Sequence, residues 1–188
     1  VKFPENFYFG SATSSTQSEG AHSIDGKGKD IWDLWYEEEP FKFHDEIGPE
    51  NTSTFYKNYK SDIQLLKKTG HNSFRTSISW SRMFPEGYGE VNEKAVAFYR
   101  DVFEEMRKND IEPFVNLFHF DMPVAMQEIG GWENREVVNH YAAFAKKCFE
   151  LFGDIVKRWF TFNEPIVHVE CGYLQPVSYT HLTLPTTE

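Results

Sequence analysis

The stretch RWFTFNEPIV (158–167) decides how this chain is read. Its aromatic and apolar residues suit a buried strand, yet the run stops at Asn163-Glu164-Pro165. An amide, a carboxylate and a proline at a strand end commonly form a turn or a helix cap. The same pattern recurs upstream. EPFVNLFHF (112–120) reads as a strand with His119 at its end, with Pro113 tolerable near its start. NSFRTSISWSRMFP (72–85) reads as a strand carrying Arg75, and FYFGSATS (7–14) as a strand followed by Gln17.

Helical periods separate these runs. STFYKNYKSDIQLLKKTG (53–70) sets Phe55, Tyr59, Ile63 and Leu66 on one face and stops at Gly70. Asn92 caps a helix with Ala95, Phe98, Tyr99, Val102 and Met106 inward. Asn134 caps another, whose expected buried stripe is Val138, Tyr141, Ala145, Cys148, Phe149 and Phe152. Four strands alternating with helices demand crossover connections and hence a parallel sheet. A barrel and a doubly wound sheet both satisfy that alternation. The first strand–helix loop lacks G-x-G-x-x-G, which removes support for a dinucleotide site. Polar residues cluster in or after the strands, where barrel enzymes carry their chemistry. The expected class is α/β, the N-terminal half of a (β/α)8 TIM barrel with about four βα units. A half-barrel leaves two sheet edges open, so the chain is expected to be a fragment.

Composition narrows the partners. The 188 residues are 40% hydrophobic and 26% charged, with a net charge of −10 that disfavours nucleic acid and anionic membranes. No apolar run approaches the roughly 20 residues of a membrane span. VKFPENFYFG (1–10) lacks the basic and apolar segments of a signal peptide, and no initiator Met precedes it. Cys148 and Cys171 have no metal spacing and fit a reducing compartment. The expectation is a soluble, cytoplasmic protein. Aromatics reach 17%, enough for a large core and for rings that face sugars.

After Gln175 the texture changes to PVSYTHLTLPTTE (176–188), without helical period. It resembles the in-frame translation of a transposon-derived sequencing adapter. The domain is therefore expected to span 1–175, with 176–188 a non-native tail, and His181 is set aside.

Each polar residue has a structural reading beside a chemical one. Glu164 at a barrel mouth can act as a general acid, or it can simply cap a helix. Asn163 can hold a hydroxyl through its two-sided amide. Gln17 can satisfy loop backbone groups, Arg75 can be an ion-pair partner, and His119 a core histidine. His119 and Asp121 lack a third metal ligand, so no metal is expected. No Ser occupies a G-x-S-x-G elbow. Asp30, Asp33 and the Glu37–Glu39 run read as solvated charges.

Taken together, FYFGSATSSTQSEGA, FRTSISWSRMFP, LFHFDMP and TFNEP resemble, in order, the motifs of the family 1 glycoside hydrolases. The resemblance covers about residues 3 to 174. It implies retaining hydrolysis, which needs two carboxyl groups about 5–5.5 Å apart. Glu164 then matches the acid/base, Arg75 the arginine that orients the nucleophile, and Gln17, His119 and Asn163 the residues that bind glycone hydroxyls. Trp132 is a weaker candidate. The family's nucleophilic glutamate belongs to a later strand, so this chain alone is expected to be inactive. No cofactor is implied.

LFHFDMP with AMQEIGGWENREVV looks like the bacterial 6-phospho-β-glucosidase branch; Phe120 stands where many β-glucosidases carry Trp. The expected partner is a small-molecule β-glycoside, 6-phosphorylated. The alternatives are a β-glucosidase or β-galactosidase for neutral sugars, and a non-catalytic carbohydrate-binding relative.

Overall fold

A computed structural model describes residues 2–174; the tail expected at 176–188 lies outside the described residues. Four parallel strands stand in the order β1 (Gly10–Ala12), β2 (Ser73–Ser77), β3 (Glu112–Phe118) and β4 (Arg158–Phe162). The helices are α1 (Ser15–Ser18), α2 (Ile31–Glu38), α3 (Phe55–Lys68), α4 (Trp80–Met83), α5 (Glu93–Lys108), α6 (Val124–Glu128), α7 (Arg135–Phe152) and α8 (Pro165–Val169). None of the described helices is long and apolar enough to cross a membrane.

Sequential parallel order is what repeated βα crossovers produce. Of the three long helices among the described residues, α5 and α7 begin at a side-chain cap, whereas α3 follows Thr54 without one. Asn92 accepts the Lys94 N–H ahead of α5, and Asn134 accepts the Glu136 N–H ahead of α7. Gly70, at φ +84°, follows α3 in the left-handed region that glycine enters without Cβ strain.

Alternation divides the sheet faces. Phe74 meets Phe55 of α3 at 6.2 Å between ring centroids, whereas Arg75 reaches Asn116 on β3 and lies 5.1 Å from the Phe160 ring on β4. The core between sheet and helices includes Ile63, Val102, Phe103, Met106, Val115, Leu117 and Phe152, all essentially inaccessible. Burying Phe103 alone contributes about 1.5–3 kcal/mol. β1 and β4 are the sheet edges, and Phe160 is 41% exposed there.

Three local expectations need correction. The first strand shrinks to Gly10–Ala12, because Phe3, Phe7 and Phe9 gather their rings into a separate cluster. The second strand ends at Ser77; Ser79 then accepts the Arg82 N–H and starts α4. In α7 the buried stripe is Val137, Tyr141, Phe144, Cys148 and Phe152. Phe149 instead lies 43% exposed, with its ring edge-on to Trp159 of the edge strand β4 at 5.0 Å between centroids. Cys148 is core, as the helical period predicts.

Candidate active site

The C-terminal ends of the strands converge on a cleft of about 440 Å³. Gln17, His119, Asn163 and Glu164 line it together with the aromatic rings of Trp32, Phe43 and Phe120. Arg75 stands behind them.

Arg75 organises the floor. Its Nη2 donates to Asn163 Oδ1 at 2.9 Å and to Asn116 Oδ1 at 3.2 Å. Burial lowers its pKa, and the Glu164 carboxylate opposes that shift. The guanidinium remains charged under ordinary conditions. Asn163 is held twice more: its backbone N–H donates to the Phe118 carbonyl at 2.9 Å, and its Nδ2 donates to Glu164 Oε2 at 3.4 Å. The amide orientation is thus set by its neighbours, with the acceptor towards Arg75 and the donor towards Glu164.

Glu164 occupies the residue before α8, with Pro165 at the first helical position. Its backbone is left-handed, at φ +41° and ψ +62°, a conformation that costs a non-glycine residue on the order of 1 kcal/mol. The side chain is exposed to the cleft rather than spent on capping α8. The helix-cap reading therefore fails for its carboxylate.

His119 is 9% exposed, and its Nδ1 has no hydrogen-bond partner among the described residues. Burial, reinforced by Arg75, pulls its pKa down to about 4, so the imidazole is neutral at pH 7. It can accept or donate towards a hydroxyl in the cleft. Gln17 lies on α1; Ser14 caps this helix and donates its hydroxyl to Gln17 Oε1 at 2.9 Å. Trp132 does not line the cleft. Its ring sits among Trp80, Phe118, Tyr141 and Phe162, in a structural role.

Asp30 and Asp33 are not solvated charges. They are 2% and 3% exposed, form a capping box on α2, and pair with Lys27 at 3.0 and 2.6 Å. The spacing D-x-x-D before an apolar run was the available signal. Asp121 is fully buried, which its place near His119 in the sequence does not signal. Burial, then the Asp30 charge, pushes its pKa up to about 7. Asn116 is a further functional position, and its signal is a polar side chain inside an apolar strand, which must find a partner.

Comparison with known proteins gives the family and the fold. The sequence profile of glycosyl hydrolase family 1 matches residues 1–180. The chain belongs to glycosyl hydrolase family 1. Within the family it is 60% identical over 178 residues to the 6-phospho-beta-glucosidase GmuD of Bacillus subtilis (strain 168), covering 95% of this chain and 38% of that protein. It is 45% identical over 172 residues to a 6-phospho-beta-galactosidase of Clostridium acetobutylicum, covering 92% of this chain and 35% of that protein. The family 1 β-glucosidase structure from Thermotoga maritima superposes with a TM-score of 0.89 at 40% identity, covering 93% of this chain and 39% of that one. The fold is accordingly the first part of a TIM barrel, and the chain spans less than half the length of these relatives.

Proposed function

We propose that the full-length protein is a retaining O-glycoside hydrolase that cleaves 6-phospho-β-glucosides from phosphorylated disaccharides. The observation that carries this reading is the hydrogen-bonded set Arg75–Asn163–Glu164, which runs from β2 across the sheet to the end of β4 and leaves Asn163 and Glu164 facing one cleft with Gln17 and His119. Glu164 protonates the departing glycosidic oxygen, then takes the proton of the incoming water. The nucleophilic carboxylate comes from a later strand. Arg75 Nε has no partner among the described residues and retains donor capacity for that carboxylate. Neutral His119, Asn163 and Gln17 bind glycone hydroxyls, and their hydrogen bonds gain strength as charge develops on the sugar ring. No cofactor is needed for proton transfer and carboxylate attack.

The 60% identity to a 6-phospho-beta-glucosidase supports the phosphorylated substrate. Among the described residues that line the cleft none is Lys or Arg, and under this reading the phosphate meets its donors on other segments of the full-length protein. A phosphorylated disaccharide stays in the compartment where it was phosphorylated, because its charge bars free passage through a bilayer, and a cytoplasmic site of action goes with that substrate.

Kinetics of the full-length protein on an aryl β-glucoside and on its 6-phosphate test the reading. A much higher kcat/KM for the phosphate is expected. Preference for the neutral glucoside would overturn the substrate, and failure on both would overturn the activity. Glu164→Ala should lower the rate by about 10²–10⁴ on poor leaving groups and far less on acidic phenols, which need no proton.

A further inference from the structure

Behind the cleft, three side chains that do not line it form a buried hydrogen-bonded brace. Asp121 Oδ1 accepts the His119 backbone N–H at 3.0 Å, and Oδ2 accepts the Ser15 hydroxyl at 3.3 Å. The Ser77 hydroxyl donates to Ser15 Oγ at 3.0 Å, while the Ser15 N–H donates to Ser77 Oγ at 2.7 Å. Asp121 and Ser77 are completely inaccessible, and Ser15 is 4% exposed. The ends of β1, β2 and β3 are thereby tied through one network.

Its placement matters for recognition. Ser15 precedes Gln17 by two residues, and Asp121 follows His119 by two. α1, which carries Gln17, has only four residues and cannot hold its own orientation. That orientation must come from tertiary contacts, and the brace supplies one at each side of the cleft wall. We propose that Asp121 is a positioning residue for glycone recognition, setting the separation of Gln17 and His119 through Ser15 and the His119 backbone. This rests on the sugar-binding roles given to those two residues above.

The variants separate the two arms. Ser15→Ala removes the Gln17 arm. Asp121→Asn keeps an acceptor for the His119 N–H but presents an amide donor to Ser15, whereas Asp121→Ala removes both arms. The test measures kcat/KM of the full-length protein on an aryl glycoside and on analogues lacking one glycone hydroxyl at a time. Folding is checked by circular dichroism, and Ser15→Ala serves if Asp121→Ala does not fold. The expected result is about a tenfold loss on the parent sugar, with a matching fall in the penalty for deleting the hydroxyls that Gln17 and His119 bind. Asp121→Asn should retain more of the His119-linked penalty than Asp121→Ala. A merely structural brace would lower parent and deoxy substrates equally, and that outcome overturns the inference. Parental kinetics in Ser15→Ala and Asp121→Asn would overturn it too. A wild-type protein inactive on every glycoside would instead defeat the proposed function, and this inference with it.

Discussion

Arg82→Met should be among the most damaging single changes outside the cleft. Arg82 is 1% exposed on α4 and donates from Nε to Glu19 Oε2 at 2.9 Å. Its Nη2 donates to the Gly20 and Ala21 carbonyls, and its guanidinium lies 4.3 Å from the Tyr56 ring. Glu19, also buried, accepts the Tyr99 hydroxyl at 2.8 Å. Glu19 lies two residues after Gln17, so the pair anchors the segment that presents Gln17. Removing the guanidinium leaves a buried carboxylate with one neutral donor. Breaking a buried ion pair from one side costs about 3–5 kcal/mol. Urea unfolding of the full-length protein, monitored by tryptophan fluorescence, should show that loss. Glu19→Gln alone should cost a similar amount, because it strands the Arg82 charge. The double variant Glu19→Gln/Arg82→Met should recover about 2 kcal/mol or more relative to additivity, since neither charge is then left buried alone. A loss under about 1 kcal/mol in Arg82→Met, or strict additivity, would refute the reasoning.

Acid should weaken the fold through His168, which is 8% exposed and stacks on Phe120 at 5.8 Å between ring centroids. Burial lowers its pKa from 6.5 to about 4, so the folded state binds fewer protons than the unfolded state between those values. Stability is therefore lost as pH falls through that window, by up to about 3 kcal/mol. His168→Phe should flatten urea midpoints measured from pH 7 to pH 4, and an unchanged slope would count against it; His119 adds a loss of the same sign. Tyr99→Phe removes the donor to Glu19 and the acceptor of the Ser79 N–H, and should cost about 1.5–3 kcal/mol in the same assay. Gly28→Ala should cost about 1–3 kcal/mol, because a Cβ there would run into the Pro85 carbonyl while the Gly28 N–H is held by Ser81. A neutral result would show that the adjoining loop yields freely.

The amino-acid order carried the repeat of strand and helix, because apolar spacing and Asn caps act locally. Asn92 and Asn134 start their helices through bonds to residues two positions away, which needs no knowledge of the rest of the chain. The polar endings of the strands were legible for the same reason: Glu164 and His119 interrupt apolar runs. What the order of residues could not decide was the fate of charges whose partners are distant in the chain. Asp30 and Asp33 looked solvated, yet packing buries them with Lys27, because a carboxylate can leave water once a cation and backbone donors replace its hydration. Arg75 could have been any ion-pair partner; only the β2–β3–β4 register brings it to Asn116 and Asn163. Likewise Asp121 holds the nearby His119 N–H locally, but its link to the Gln17 segment comes only through Ser15, 106 positions earlier in the chain. Local chemistry sets which elements form, and burial in the assembled sheet decides which charges meet.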